Sequence, residues 1–346
     1  MKHEINVDKH YNVNIKLETT ESSEEDIENF LLDLVVREGI EILSEPVIKK
    51  TNDDTYEIHF VTRPKVEAPN VDDLINNIKF DDFDLQTALN ESLSIIRYNL
   101  SPRAKADKSL TNEDIVVLDI KITTKEGDVL SDQTNETIVM ASSVLIEPIK
   151  KELIGLKTGD EKKFIYKFDK NYFQKQYAGK ECEFEVKIIQ IYSVELVDLD
   201  DNLAKLVLGE GSSLKDLEEQ LKADLEKSNI AKRQQRLLER IIADSKVDYV
   251  PEELIVHEMS YLIEKFGLEK ENKTKIYNEA ERNVILRLAL DEIFSRPNWN
   301  VSDEQVIEAY KGPEKDNFVK QYNELNENDK KAVTRTVKYQ MLLAKV

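Results

Sequence analysis

Apolar and polar residues alternate in three stretches near the middle of the chain, which predicts three strands with one buried face each. These stretches are residues 115–122, 164–168 and 182–191. Residues 150–156, between the first two strands, have the spacing of a short helix, and residues 157–163 contain the Gly-Asp pair of a hairpin turn. The pattern predicts a small antiparallel sheet wrapped on one short helix.

The N-terminal part of the chain has a strand–helix–strand pattern. Strands are predicted at residues 13–17 and 56–61, where apolar residues alternate with polar ones. The helix between them keeps its apolar residues on one face and ends at Gly39, which suits a left-handed cap. Residues 1–68 therefore predict a small α/β domain.

The remaining segments are predicted to be helical. Before the central sheet, one helix is expected, with Asp82 as its N-cap and an end before Pro102. After the sheet, apolar residues recur at helical spacing to the C-terminus, without a sustained heptad register or a repeat. We therefore predict a multidomain α+β protein. Its predicted parts are an α/β domain at residues 1–68, a helical connector at 69–112, the antiparallel-sheet domain at 113–193 and an all-α domain with helical arms at 194–346.

Acidic residues outnumber basic ones along the chain. There are 69 Asp and Glu against 49 Lys and Arg, for a net charge of −20. This charge argues against direct binding to nucleic acid, because phosphates carry the same sign. The first residues lack the apolar core of a secretory signal, and no window approaches the roughly 18 apolar residues of a membrane span. We expect a cytoplasmic protein that does not contact membranes.

Side chains for metal or nucleophilic chemistry are sparse. No two histidines lie at ligand spacing, and the single thiol, Cys182, cannot form an internal disulfide. No Gly-x-Ser-x-Gly motif and no Gly-rich phosphate loop occurs. The sequence therefore predicts neither a metal site nor a cofactor.

Several motifs resemble known families. The run LIEPIKKELIGLKTGDEKKF at residues 145–164 and the run GKECEFEVKIIQI at residues 179–191 resemble an FK506-binding-protein-type prolyl isomerase domain. The run VELVDLDDNLAKLV at residues 194–207 and the run VDYVPEELIVHEMSYLIEKF at residues 247–266 look like the trigger factor family of ribosome-associated chaperones. The resemblance covers the chain from about residue 55 to the C-terminus, and it implies a chaperone that holds unfolded or nascent polypeptides.

The N-terminal part departs from the trigger factor pattern. Family members dock on the ribosome through a Gly-Phe-Arg-x-Gly-x-x-Pro motif, which does not occur in residues 1–68. Residues 1–112 carry 13 Lys and Arg against 23 Asp and Glu, so this part of the chain is acidic. Ribosome binding therefore remains possible only through some other contact.

The resemblance to the isomerase domain implies a prolyl-binding pocket. Its residues map to Tyr172, Phe184, Ile146, Ile120, Leu130 and Ile149, with Ile138 beside them. Only the first two of these are aromatic, whereas the family places aromatic rings at several of the other positions. The mapping predicts a pocket with little aromatic character.

The resemblance to the chaperone implies an apolar cradle in the helical C-terminal domain. The candidate client-binding residues are apolar positions beyond one stripe per helix. They are Ile255, Met259, Tyr261, Ile263, Phe266, Ile276, Tyr310 and Phe318.

Three functions stay open at this point. The first is a trigger-factor-like chaperone that holds unfolded or nascent chains. The second is a peptidyl-prolyl cis–trans isomerase that acts on folding chains. The third is an adaptor for one dedicated partner, in which the isomerase domain serves only as a scaffold.

Overall fold

The structure is a computed structural model that describes residues 2–19, 23–52, 54–141, 146–172, 174–268 and 270–346. The chain forms two compact units. One consists of residues 83–227, and the other combines residues 1–82 with residues 228–346. Both helices and antiparallel sheets are present, which confirms the predicted multidomain α+β class. The division into four sequential domains stays a prediction.

The discontinuous unit begins with a four-stranded antiparallel sheet in the order β1-β2-β4-β3. Helix α1 packs its apolar face on this sheet, around a core that includes Ile15, Leu34 and Phe60. Ser23 and Asp26 form a capping box at the start of α1, and Gly39 ends the helix at φ 65°. The elements are β1 (Lys2–Val7), β2 (Asn12–Glu18), α1 (Glu24–Glu38), β3 (Val47–Asn52) and β4 (Thr55–Val61).

The helical part of the same unit surrounds a second core. Val71 and Leu74 on α2 pack with Leu237, Ile293 and other apolar side chains of later helices. The elements are β5 (Val66–Glu67), α2 (Val71–Asn77), the second half of α6 (Leu214–Asp244), β11 (Lys246–Val247), α7 (Glu252–Phe266), α8 (Lys273–Phe294), α9 (Asp303–Ala309), α10 (Lys315–Glu324) and α11 (Glu327–Leu343). Strand β11 pairs with β5, so the C-terminal region predicted as all-α contains one two-residue strand.

The continuous unit is built on a five-stranded antiparallel sheet. Its main path is β6-β10-β7-β8, and β9 pairs with β10. The short helix α4 (Glu147–Leu153) lies against the sheet, as the sequence predicts, with Ile149 and Leu153 in the core. The strands are β6 (Arg103–Ala106), β7 (Ile115–Thr124), β8 (Val129–Val139), β9 (Glu161–Lys167) and β10 (Glu181–Val194).

A small helical core completes the continuous unit. Leu89 and Leu93 on α3 (Leu85–Leu100) pack with Leu203 on α5 (Asp201–Leu208) and with the first half of α6. The predicted N-cap at Asp82 is wrong. The cap is Asp84, whose carboxylate accepts from the backbone N–H of Thr87 at 2.6 Å.

The predicted helical connector at residues 69–112 also needs correction. It contains two helices, α2 and α3, and the strand β6 rather than a single helix. Among the described helices, none is long and apolar enough to cross a lipid bilayer.

Candidate functional site

A small apolar hollow lies between the sheet and α4 in the continuous unit. Its volume is about 140 Å³. Five of the six predicted pocket residues line it: Ile120, Ile146, Ile149, Tyr172 and Phe184. The other lining residues are Ile122, Ile138, Leu153, Phe168, Gln174, Tyr177 and Val186. The role of the five predicted residues in binding proline stays a prediction.

The floor of the hollow is set by strand register. Ile122 on β7 lies opposite Phe184 on β10, and Ile120 lies opposite Val186 two residues further along. Residues two apart on a strand face the same side of a sheet, so these four side chains form one apolar surface. Leu130 is not among the lining residues; it packs against the adjoining core instead.

Aromatic rings make up one wall of the hollow. The ring centroid of Phe168 lies 4.7 Å from that of Tyr172, 5.1 Å from that of Tyr177 and 6.2 Å from that of Phe184. Four aromatic side chains therefore meet at the pocket, and the prediction of little aromatic character is wrong. The alternating pattern places Phe168 at the end of a predicted strand but does not assign it to the pocket. Tyr177 lies in a loop without periodicity, so no pattern indicates its role.

The loop after β9 is closed by backbone hydrogen bonds. Phe168 N–H donates to the Lys180 carbonyl and Gly179 N–H donates to the Asp169 carbonyl, both at 2.9 Å. A further bond of 3.0 Å runs from Tyr177 N–H to the Gln174 carbonyl. These contacts hold the loop side chains against the sheet.

The chemistry of the hollow is that of a desolvated binding surface. Burial raises the pKa of the Tyr172 phenol above its ordinary value of 10.0. No Asp, Glu, Lys, Arg or His lines the cavity among the described residues. Such a site suits a reaction that needs no proton transfer, and rotation about a prolyl amide, with a barrier of about 18–20 kcal/mol, is one.

A larger groove lies in the discontinuous unit, over α8. Its volume is about 700 Å³. Leu286, Leu290 and Phe294 recur at every fourth position of α8 and line the groove. Tyr261 on α7 and Tyr339 on α11 also line it. Leu290 and Phe294 are only 6% exposed, and the charged residues Glu258, Arg287 and Arg335 also line the groove. The arrangement is a mixed apolar and charged surface bordered by two other helices, which can accept a segment of polypeptide.

The predicted client-binding residues divide by exposure. Ile255 and Ile276 are only 1% and 4% exposed, because they form the packing core between α7 and α8. A solvent-facing role for these two is therefore wrong. Met259 and Ile263 are half-buried against the same core.

Two predicted aromatic residues of α7 are accessible. Tyr261 is 46% exposed and Phe266 is 59% exposed. The ammonium of Lys265 lies 4.9 Å from the ring centroid of the first and 5.5 Å from that of the second. These rings present apolar area together with a cation at the end of α7.

The last two predicted client residues contact each other. Tyr310 and Phe318 stack with their ring centroids 4.2 Å apart and their planes 3° apart. Both are half-buried, and the second packs against the small core of α9, α10 and α11. Their client-binding role stays a prediction.

Comparison with known proteins gives sequence relatives but no family model. No protein-family model matches the chain. A protein named trigger factor from Desulfatibacillum aliphaticivorans is 28% identical over 246 residues, which are 65% of this chain and 56% of that protein. Another from Pelagibacter ubique is 29% identical over 260 residues, 72% of this chain and 54% of that protein. One from Geobacillus kaustophilus is 30% identical over 243 residues, 60% of this chain and 55% of that protein.

The solved structures that match this chain include the following two. A trigger factor chaperone matches 99% of this chain and 98% of its own at 16% identity, with a TM-score of 0.41. A peptidyl-prolyl cis–trans isomerase from Pseudomonas syringae pv. tomato matches 32% of this chain and 98% of its own at 11% identity, with a TM-score of 0.22. Both scores are too low for these likenesses to bear on fold or function.

The sequence relatives are the informative comparison. The chain spans about half the length of the curated relatives that it matches. Those relatives share one name, and their alignments cover between 60% and 72% of this chain. The chain is similar to proteins named trigger factor over 60% to 72% of its length.

Proposed function

We propose that this protein is a molecular chaperone that holds unfolded or nascent polypeptides. The observation that carries the proposal is the groove over α8, where Tyr261 is 46% exposed and Leu286 and Tyr339 are half-buried, in a chain with 34% charged residues. Exposed apolar surface of this kind marks sites of interaction with other apolar chains. The kinship with proteins named trigger factor supports the same function.

The groove suits weak capture of many sequences better than tight binding of one. Its volume of about 700 Å³ accommodates a few side chains of a client rather than a folded partner. Tyr261 and Tyr339 add rings that combine apolar faces with polar tips, so they contact varied side chains. A net charge of −20 keeps a complex with an aggregation-prone client in solution.

Aggregation of a chemically denatured client tests this proposal. We expect the intact protein, at a several-fold molar excess, to suppress light scattering after dilution of the client from denaturant. The variant Tyr261→Ser should suppress scattering less, because it removes an exposed ring from the groove. Val36→Ser is the matched control, since this side chain is 82% exposed on α1 and does not line the groove. No suppression by the wild type would remove the proposal.

The pocket beside α4 favours a second activity, prolyl isomerisation. A desolvated hollow with an aromatic wall accelerates rotation by excluding water from the imide and holding it twisted. The meeting of Phe168, Tyr172, Tyr177 and Phe184 is the observation that favours this activity. Interconversion of an Xaa-Pro tetrapeptide, followed with and without the protein, tests it. An unchanged rate would remove it.

The adaptor alternative is distinguished by the number of partners. A chaperone that holds unfolded chains should retain many proteins from a lysate at low stoichiometry. One partner retained at a fixed ratio would favour the adaptor instead.

A further inference from the structure

The polar side chains that line the small hollow beside α4 all come from one loop. Tyr172, Gln174 and Tyr177 all lie between strands β9 and β10, and every other lining residue is apolar. Tyr177 is buried among the aromatic rings, whereas Gln174 is exposed at the edge of the hollow. Gln174 is therefore the polar lining residue that is most open to solvent.

The size of the hollow determines which part of a client enters it. Pockets that enclose whole ligands measure about 300–1,000 Å³, and this one measures about 140 Å³. It admits one small apolar group such as a pyrrolidine ring. The peptide groups on either side of that proline must then stay at the edge, where Gln174 lies.

The side chain of Gln174 is available for such a contact. Its carboxamide has no hydrogen-bond partner within the ranges that the structure describes. A carboxamide offers two donor hydrogens and an acceptor oxygen, which match the groups of a peptide bond. The carbonyl before a proline accepts hydrogen bonds whatever side chain precedes it, so this recognition does not depend on the client sequence.

We propose that the Gln174 carboxamide donates a hydrogen bond to the client backbone next to the proline seated in the pocket. The proposal rests on the isomerase activity proposed above. It assigns two separate tasks: the apolar hollow selects proline, and Gln174 holds the flanking backbone of any client.

Kinetics of Xaa-Pro tetrapeptide isomerisation test this role. Gln174→Leu keeps the approximate size but removes the polar atoms, and Gln174→Glu keeps acceptors but removes the donors. One net hydrogen bond corresponds to about a two- to tenfold change in affinity. We expect both variants to raise KM by about that factor with kcat nearly unchanged, since the bond forms in the ground state and the transition state alike.

Gln176→Leu is the matched control. Gln176 is exposed in the same loop but does not line the hollow, so this variant should keep the wild-type KM. A KM within twofold of wild type for Gln174→Leu, or an equal rise for Gln176→Leu, would overturn the role of Gln174 and leave the isomerase activity standing. A wild-type protein that neither turns over nor binds the peptide would overturn both.

Discussion

The guanidinium of Arg296 donates a hydrogen bond of 2.6 Å from Nη2 to the carbonyl oxygen of Ala68. Its Nη1 donates to the carbonyl of Pro69 at 2.8 Å. A similar contact runs from Arg63 Nη2 to the carbonyl of Leu288 at 3.2 Å. Guanidinium groups therefore join backbone segments of the discontinuous unit that are more than 200 positions apart in sequence.

Replacing Arg296 should weaken this unit. Lysine cannot donate to two carbonyls in the planar arrangement of a guanidinium, so Arg296→Lys should leave a part-buried carbonyl without its partner. We expect a loss of about 1–3 kcal/mol in the free energy of unfolding, measured by urea denaturation. The matched control is Arg282→Lys on the exposed face of α8. Equal midpoints for both variants would contradict the prediction.

The aromatic wall of the small pocket should be needed for isomerisation. Phe168→Leu keeps an apolar side chain but removes the ring that contacts Tyr172, Tyr177 and Phe184. We expect kcat/KM for a prolyl tetrapeptide to fall by about tenfold or more, which corresponds to about 1.4 kcal/mol. Ile165→Leu on strand β9 is the control, because Ile165 is exposed. Full activity in Phe168→Leu would show that the wall has no catalytic role.

Asp114 should give the continuous unit a pH-dependent stability. Burial raises the pKa of this carboxyl, but hydrogen bonds from Lys108 and Thr111 outweigh that effect and lower the pKa below its ordinary value of 3.8. The ammonium lies 2.7 Å from Oδ1, and the Thr111 hydroxyl donates to Oδ2 at 2.6 Å. A depressed pKa adds stability that is present above the unfolded-state pKa and is lost as pH falls through the folded-state pKa.

Asp114→Asn tests this dependence. At neutral pH we expect it to lower the free energy of unfolding by about 1–3 kcal/mol. The difference in the free energy of unfolding between this variant and the wild type should become smaller as the pH falls below about 4. Asp107→Asn, at an exposed neighbouring position, should stay close to wild type throughout. If the difference in the free energy of unfolding stayed constant from pH 7 to pH 2, the contacts assigned to the ionised Asp114 carboxylate would be contradicted.

Client capture should resist salt. Six of the eleven described residues that line the groove over α8 are apolar or aromatic, among them Tyr261, Leu286 and Tyr339. Raising the ionic strength from about 0.1 M to about 1 M shortens the Debye length from about 10 Å to about 3 Å and weakens only charge-driven contacts. Suppression of client aggregation should therefore persist at high salt. A loss of suppression on salt addition would indicate capture by charge.

Ribosome binding through the N-terminal part should be weak. Residues 1–112 carry 13 basic against 23 acidic residues, and the docking motif of the family is absent from residues 1–68. We expect the intact protein to stay in the supernatant when ribosomes are pelleted at about 0.15 M salt, where charges are screened beyond about 8 Å. Stoichiometric co-sedimentation that survives higher salt would point to another docking surface.

The strands that the sequence predicts are those with one buried face. Buried and partly buried residues alternate along much of strand β7, because one face of the strand packs on the core and the other does not. Strand β8 was missed, since residues 132–137 are exposed and polar on both faces. Strand β1 was missed for a similar reason, because it is a mostly exposed edge strand. Edge strands depend on backbone pairing with a neighbour, which leaves little trace in composition.

The candidate pocket was predictable where its residues belong to regular elements. Ile120 and Phe184 follow from strand periodicity and from the family resemblance. Phe168 and Tyr177 come together only because the loop after β9 folds back on the sheet through backbone hydrogen bonds. Tertiary closure of this kind has no periodic signature. The burial of Ile255 and Ile276 could not be predicted either, because the apolar pattern of one helix does not show which other helix packs on that face.

The discontinuous unit cannot complete its helical core until late in translation. Val71 and Leu74 on α2 reach their core partners Ile293 and Phe294 only after more than 200 further residues have been made. At about 5–20 residues per second, translation leaves these two side chains without their partners for roughly 10–45 s. During its own synthesis this protein therefore exposes apolar side chains of the kind that it is proposed to bind in other unfinished chains.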